Sequence, residues 1–126
     1  MIALDTSSLI EYLSGGEGAD VDAVEMVLEH KQAVLPPVVL SELLSDPTLF
    51  PDVAGVLKEL PLLSLLGDFW ERAGYLRSKL IRRGQKAPLA DSLIAQVCID
   101  HGVSLVSRDT DFRHFVRHGG LRLLPK

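Results

Sequence analysis

Short apolar runs alternate with longer segments of helical period along most of this chain, and that alternation most restricts what it can fold into. It is the pattern of an α/β domain with a mainly parallel sheet, because each strand is reached again only through a crossover helix. Residues 1–4, 33–35, 62–66, 103–106 and 121–124 read as strands. Between them, Thr6, Ser7 or Ser8 is placed to cap a helix carrying Leu9, Ile10 and Leu13, which Gly15-Gly16 stops. Further helices are expected over 21–30, over 38–44 behind Pro36-Pro37, and over 48–59. The longest, over 68–83, has Phe69, Ala73, Leu76 and Leu80 on one face and ends at Gly84. Pro88 opens a last one over 89–100, with Leu89, Leu93, Ile94 and Val97 apolar, and Gly102 closes it. Residues 109–112 read as a loop that starts a small helix. With 126 residues and 47% hydrophobic content the chain suffices for one compact domain over residues 1–126 and not for two.

The net charge of −4 argues against binding nucleic acid by bulk electrostatics, though not against a locally basic groove. The single cysteine, Cys98, sits in an apolar run, so a buried thiol and a reducing cytoplasm are the expectation. The longest apolar stretch, 60–66, is far too short to cross a bilayer, and no charged leader precedes Met1, so a soluble, unexported protein with no membrane partner is expected.

Four acids fall at the ends of apolar segments: Asp5, Glu42, Asp91 and Asp109. A carboxylate delivered by a buried strand or helix is costly unless its charge is compensated, and a divalent cation compensates it. Asp5 and Asp109 each follow the carboxyl end of a predicted strand, where ligand sites form in open parallel sheets if the two strands flank the reversal of strand order. Glu42 projects from the helix over 38–44, and Asp91 lies in the first turn of the helix behind Pro88. Mg²⁺ or Mn²⁺ suits such a set, being a hard cation that takes carboxylate and water oxygens. Without metal, clustered carboxylates repel, so at least one pKa should rise; Asp91 is expected to be the exception, favoured as an anion by its helix dipole.

These residues resemble the PIN-domain nucleases, most closely the short VapC-type ribonuclease toxins. The resemblance is carried by Leu4-Asp5-Thr6-Ser7-Ser8-Leu9-Ile10, by Ser41-Glu42-Leu43, by Leu89-Ala90-Asp91-Ser92-Leu93-Ile94-Ala95, and by Ser107-Arg108-Asp109-Thr110-Asp111-Phe112, in this order and spacing. It implies a three-layer α/β/α sandwich with a sheet of about five strands. It implies an acidic quartet of Asp5, Glu42, Asp91 and Asp109 holding Mg²⁺ or Mn²⁺, supported by Ser7 and Ser107, with Asp111 an additional or water-mediated ligand. It also implies RNA as substrate, a VapB-type antitoxin whose tail lies across the active-site groove, and a homodimer. The apolar helices over 38–44 and 48–57 are candidate interfaces.

Plainer readings stand beside these. Asp5 and Asp111 suit helix caps, Asp91 an ordinary first-turn acid, Glu42 a solvated helix residue, and Asp109, Ser7 and Ser107 turn residues. Arg72, Lys79, Arg82, Arg83 and Lys86 form a basic face suited either to an RNA backbone or to plain solvation. His114 and His118 have the spacing of a helical metal pair, but no acidic or cysteine motif accompanies them, so they read as surface or partner contacts. Trp70 and Tyr75 suit base stacking but more simply pack against protein. Two other classes fit the outline: a phospho-accepting receiver domain, for which Asp68 and Lys126 are the only rough candidates beside a lone Asp5, and an inactive PIN fold that only binds partners.

Overall fold

The computed structural model describes residues 1–125, so Lys126 lies outside the described residues. Four parallel strands form the sheet: β1 (Ile2–Leu4), β2 (Ala33–Val34), β3 (Leu105–Val106) and β4 (Leu123–Leu124), in the order β2-β1-β3-β4. Between β1 and β2 run α1 (Thr6–Leu13) and α2 (Ala19–Glu29). Between β2 and β3 run α3 (Pro37–Leu44), α4 (Pro51–Glu59), α5 (Phe69–Arg82) and α6 (Leu89–His101). A 3-10 turn (Thr110–Phe112) and α7 (Arg113–Gly119) lead into β4. The first crossover moves one way across the sheet and the later ones the other, so right-handed connections put α1 and α2 on one face and α5, α6 and α7 on the opposite one. The mutual packing of α1 on α2, and of α5, α6 and α7 on one another, follows that division. The result is the expected α/β/α sandwich.

The strands are short and fully covered, which is why they read as apolar runs without alternation: Ala3, Leu4, Leu105 and Val106 have no exposed surface. On α5 the predicted stripe is inward, with Phe69, Ala73 and Leu80 buried and Leu76 half-buried. The central part of α6 is buried nearly all round, through Ser92, Ile94, Ala95, Gln96, Val97 and Cys98, as befits a helix between others, while Leu89 at its mouth is exposed. Burial pushes the Cys98 thiol up to about 12, so it is an inert core residue.

Two elements differ from expectation. The run over 62–66 contributes one parallel bridge, Leu62 beside Leu35, with Leu35 N–H donating to the Pro61 carbonyl and Leu63 N–H to the Leu35 carbonyl, both at 2.9 Å. The ladder cannot lengthen past Leu35 because Pro36 and Pro37 have no N–H to give. The helix expected from residue 48 begins at Pro51, since the residue before a proline is driven to extended backbone, and Phe50 has ψ 136°. Thr48 instead closes a turn on Asp46 through its N–H (2.9 Å) and hydroxyl (2.7 Å).

Phe112 and Phe115, both wholly buried with ring centroids 6.0 Å apart, fasten the turn after β3 to the core. Phe112→Ala is expected to cost about 3–5 kcal/mol of stability, read by urea unfolding; a loss below 1 kcal/mol would show the turn is held by something else.

Candidate active site

The strand order reverses between β1 and β3, which pair directly, Ala3 with Leu105 and Leu4 with Val106. The next rung sets Asp5 opposite Ser107, and the Asp5 N–H donates to the Val106 carbonyl at 2.9 Å. Asp5 is buried at 4% exposure, and its Oδ2 accepts both the Ser7 hydroxyl and the Ser107 hydroxyl at 2.8 Å. Burial raises the Asp5 pKa, with the Asp109 charge adding a little, against the lowering effect of the Ser107, Ser7 and Thr6 hydrogen bonds.

Ser107 also accepts the Asp109 N–H (3.0 Å), and the Asp109 carboxylate accepts the Asp111 N–H (2.9 Å), so the serine and two acids form one chain of hydrogen bonds. Asp109 therefore caps the 3-10 turn, where the sequence suggests a turn residue at Asp109 and the cap at Asp111. Glu42, exposed on α3, is held by the Thr6 hydroxyl at 2.7 Å. Thr6 had been read only as a helix cap, because nothing local announces a contact across 36 positions.

Asp91 is the centre of the arrangement. Its carboxyl is pushed up to about 7, first by burial and then by the charges of Asp109, Asp5, Glu42 and Asp111, which all bear on it. The expected dipole exemption is overturned: a helix terminus contributes about 0.3–1 kcal/mol, too little against partial burial and four like charges.

Among the described residues, no three Asp, Glu, His or Cys side chains are drawn together closely enough to hold a metal ion as they stand. Asp5, Glu42, Asp109 and Asp111 each have a partner already: the serines, Thr6, the Asp111 N–H, and Lys86 at 3.0 Å. The donor chemistry nonetheless fits a hard divalent cation, because the four groups whose charges raise Asp91 are all carboxylates, and among the described residues Lys86 alone is in an ion pair with any of them.

One side chain between two site residues was missed altogether. Arg108 grips buried Asp20 of α2 in a fork (2.9 and 3.1 Å), reaches Glu11 of α1 at 3.1 Å, and donates to the Glu17 carbonyl at 3.0 Å. This pair lowers the Asp20 pKa, the Arg108 hydrogen bond being the main cause. Gly18 has φ +143°, and a side chain there would meet Asp20 Oδ1 at 2.7 Å and the Arg108 guanidinium at 3.0 Å. A buried Asp and a positive-φ glycine 88 and 90 positions away leave no local trace in sequence.

The basic face is dispersed. Arg72 forks onto Asp100 and donates to the Gly67 carbonyl, tying α5 to the far end of α6, about 13 Å along the helix from Asp91. It is a structural ion pair distant from the acids. Lys79 donates to the His118 carbonyl at 2.7 Å, Arg82 and Arg83 are exposed, and Lys86 alone of the five pairs with a site acid. His114 and His118 lie on α7 with no carboxylate partner among the described residues. Trp70 packs edge-on to Phe69 at 5.2 Å, whereas Tyr75 is 73% exposed.

The PIN domain family profile matches residues 2–117, and the chain belongs to that family. Its fold is similar to VapBC2 from Rickettsia felis, solved bound to a DNA fragment from its promoter (TM-score 0.74, 21% identity, 98% of this chain and 97% of that one). It is also similar to FitAcB from Neisseria gonorrhoeae (TM-score 0.70, 21% identity, 98% and 96%). VapBC-5 of Mycobacterium tuberculosis, a member of the VapBC toxin-antitoxin family, is similar as well (TM-score 0.65, 18% identity, 97% and 95%). Among proteins of curated function none matches this chain in sequence. Family membership sets aside the receiver-domain reading; Asp68, its candidate phospho-acceptor, precedes α5 and follows no strand.

Proposed function

We propose that the chain is a VapC-type toxin, an Mg²⁺- or Mn²⁺-dependent endoribonuclease hydrolysing RNA phosphodiester bonds. The observation that carries this is Asp91, whose carboxyl is pushed up to about 7 by burial and then by the charges of four other acids around the same sheet edge. Asp5, Glu42, Asp91 and Asp109 would hold the ion, Asp111 directly or through water. When bound, a divalent ion lowers the pKa of a water and offsets negative charge on the leaving oxygen. The chain's own part is orientation and proton release. Ser7 and Ser107 fix Asp5 Oδ2, Thr6 holds Glu42, and the Asp91 carboxyl, partly protonated at neutral pH, gives up its proton as a cation arrives, so metal uptake strengthens with pH.

Partners belong to the same proposal. An apolar groove between α1, α2 and α4, lined by Tyr12, Leu13, Leu28, Val53, Val56 and Leu57, suits the antitoxin, and its mouth continues past exposed Ile10 and Phe50 to Glu42. A homodimer and a cytoplasmic location complete the reading; no helix is long and apolar enough to cross a membrane among the described residues. An inactive binding module is the weaker alternative, since all four acids are present.

The test is incubation of the purified protein with mixed RNAs in Mn²⁺, Mg²⁺ or chelator, beside thermal unfolding in the same buffers. Cleavage only with metal is expected, with a rise in Tm on adding Mn²⁺ that is larger at pH 8 than at pH 6. Cleavage in chelator, or no Tm response at either pH, would sink the proposal.

A further inference from the structure

The chain's charge is sharply divided along its length. Eleven of its thirteen Lys and Arg residues lie from Arg72 onward, together with only four of its seventeen acids. The net charge of −4 therefore conceals an acidic first half and a basic second half. Much of the basic charge converges where the end of α5 meets α7. Lys79 donates to the His118 carbonyl at 2.7 Å, which joins the two helices. His118 is held below the usual imidazole value, first by desolvation and then by the charges of Arg83, Arg117, Lys79 and His114. Lys79, Arg82, Arg83 and Arg117 are exposed, and none of them is in an ion pair among the described residues.

We propose that α5 and α7 together form a track for the backbone of single-stranded RNA, with Lys79, Arg82, Arg83 and Arg117 holding phosphates beside the acidic crevice and Tyr75 stacking on a base. The inference rests on the ribonuclease reading and adds to it where the substrate lies. Three observations favour RNA over an acidic protein segment. Unpaired cations on neighbouring helices suit a regularly charged strand, and Lys79 keeps two further N–H donors beyond the one given to His118. Tyr75, Lys79 and Arg82 follow at i, i+4 and i+7, so the exposed ring lies on the same face as the cations, the combination that binds single strands without sequence preference. The track also ends at the site: α7 continues from the turn bearing Asp111, and seven helical steps from Asp111 to His118 span about 10 Å. This track differs from the basic face read in sequence, since it excludes Arg72 and Lys86, which pair with Asp100 and Asp111, and gains Arg117.

The test is fluorescence anisotropy of a labelled single-stranded RNA in EDTA, where binding is read without cleavage, over a series of salt concentrations. The parent is compared with Arg83→Gln/Arg117→Gln and with Lys31→Gln/Lys58→Gln, which removes the same charge from exposed positions in the acidic half. The track variant is expected to bind about tenfold or more weakly, with the slope of log affinity against log salt shallower by about 1.4, while the control stays within twofold of the parent. Tyr75→Ala is expected to weaken binding about fivefold or more with the slope unchanged, and no change would overturn the stacking assignment. A track variant that behaves as the control overturns the track, as does a parent that binds no RNA. So does a variant that loses affinity for poly-glutamate while keeping it for RNA, which would assign the surface to an acidic protein segment. If the parent binds through the track but cleaves nothing with Mn²⁺ or Mg²⁺, the track stands and the nuclease reading falls. If it cleaves while the track variant binds as the parent does, the reverse holds.

Discussion

Asp5→Asn should remove metal-dependent cleavage, by about 10³-fold or more, and leave the folded protein intact. The substitution keeps the size of the side chain and an oxygen able to accept one serine hydroxyl. It removes the negative charge and replaces a hard oxygen donor with an NH₂ group, which no divalent ion takes as a ligand. Stability should not suffer, because Asp5 is nearly wholly buried and its pKa is raised chiefly by that burial, so a neutral amide is relieved of the cost of ionising there. Single-turnover cleavage in Mn²⁺ and urea unfolding together check this. Activity within tenfold of the parent would remove Asp5 from the chemistry, and loss of the folded state would make it a structural residue instead.

Asp91→Asn should also abolish cleavage, and in chelator it should stabilise the protein as pH rises. With a folded pKa of about 7 against an ordinary 3.8, the folded state keeps a proton that the unfolded chain gives up between those values. The stability associated with that proton is fully present below pH 4 and lost as pH climbs through 7. At 1.36 kcal/mol per unit the whole span corresponds to about 4 kcal/mol, and screening by water and salt in a half-open crevice reduces it to about 2 kcal/mol. The asparagine variant, which cannot ionise, should match the parent near pH 4 and exceed it by about 2 kcal/mol at pH 8. Urea unfolding at pH 4.5, 6 and 8 reads the gap. A gap that does not change with pH would show that the acids do not press on one another, and with it the basis for a cation site would go.

Strand ends were the legible part of the crevice. Asp5 and Asp109 follow apolar runs that had to be strands, and the reversal between β1 and β3 brings them to one edge. Asp91 was legible in position through Pro88, but its ionisation was not, because it is raised by burial and by charges that come from three other segments of chain. Glu42 was legible mainly through resemblance: an exposed glutamate on a helix looks much like any other until Thr6 is seen beside it. The fold was read from periodicity, and the one strand that shrank to a bridge failed because two prolines on its neighbour withhold the N–H groups a ladder needs. Arg72 was misplaced since helical spacing fixes which face a side chain leaves from and says nothing of the partner, here Asp100, waiting on another helix.

The pairing of β1 with β3 has a consequence for synthesis. Asp5 emerges among the first residues made, yet Ser107, the neighbour that orients it, comes 102 positions later, and Asp109 and Asp111 follow. Any growing or truncated chain that stops before this point carries at most three of the five acids and no crevice to gather them in. The proposed nuclease would therefore stay harmless on the ribosome until nearly its whole length has been translated.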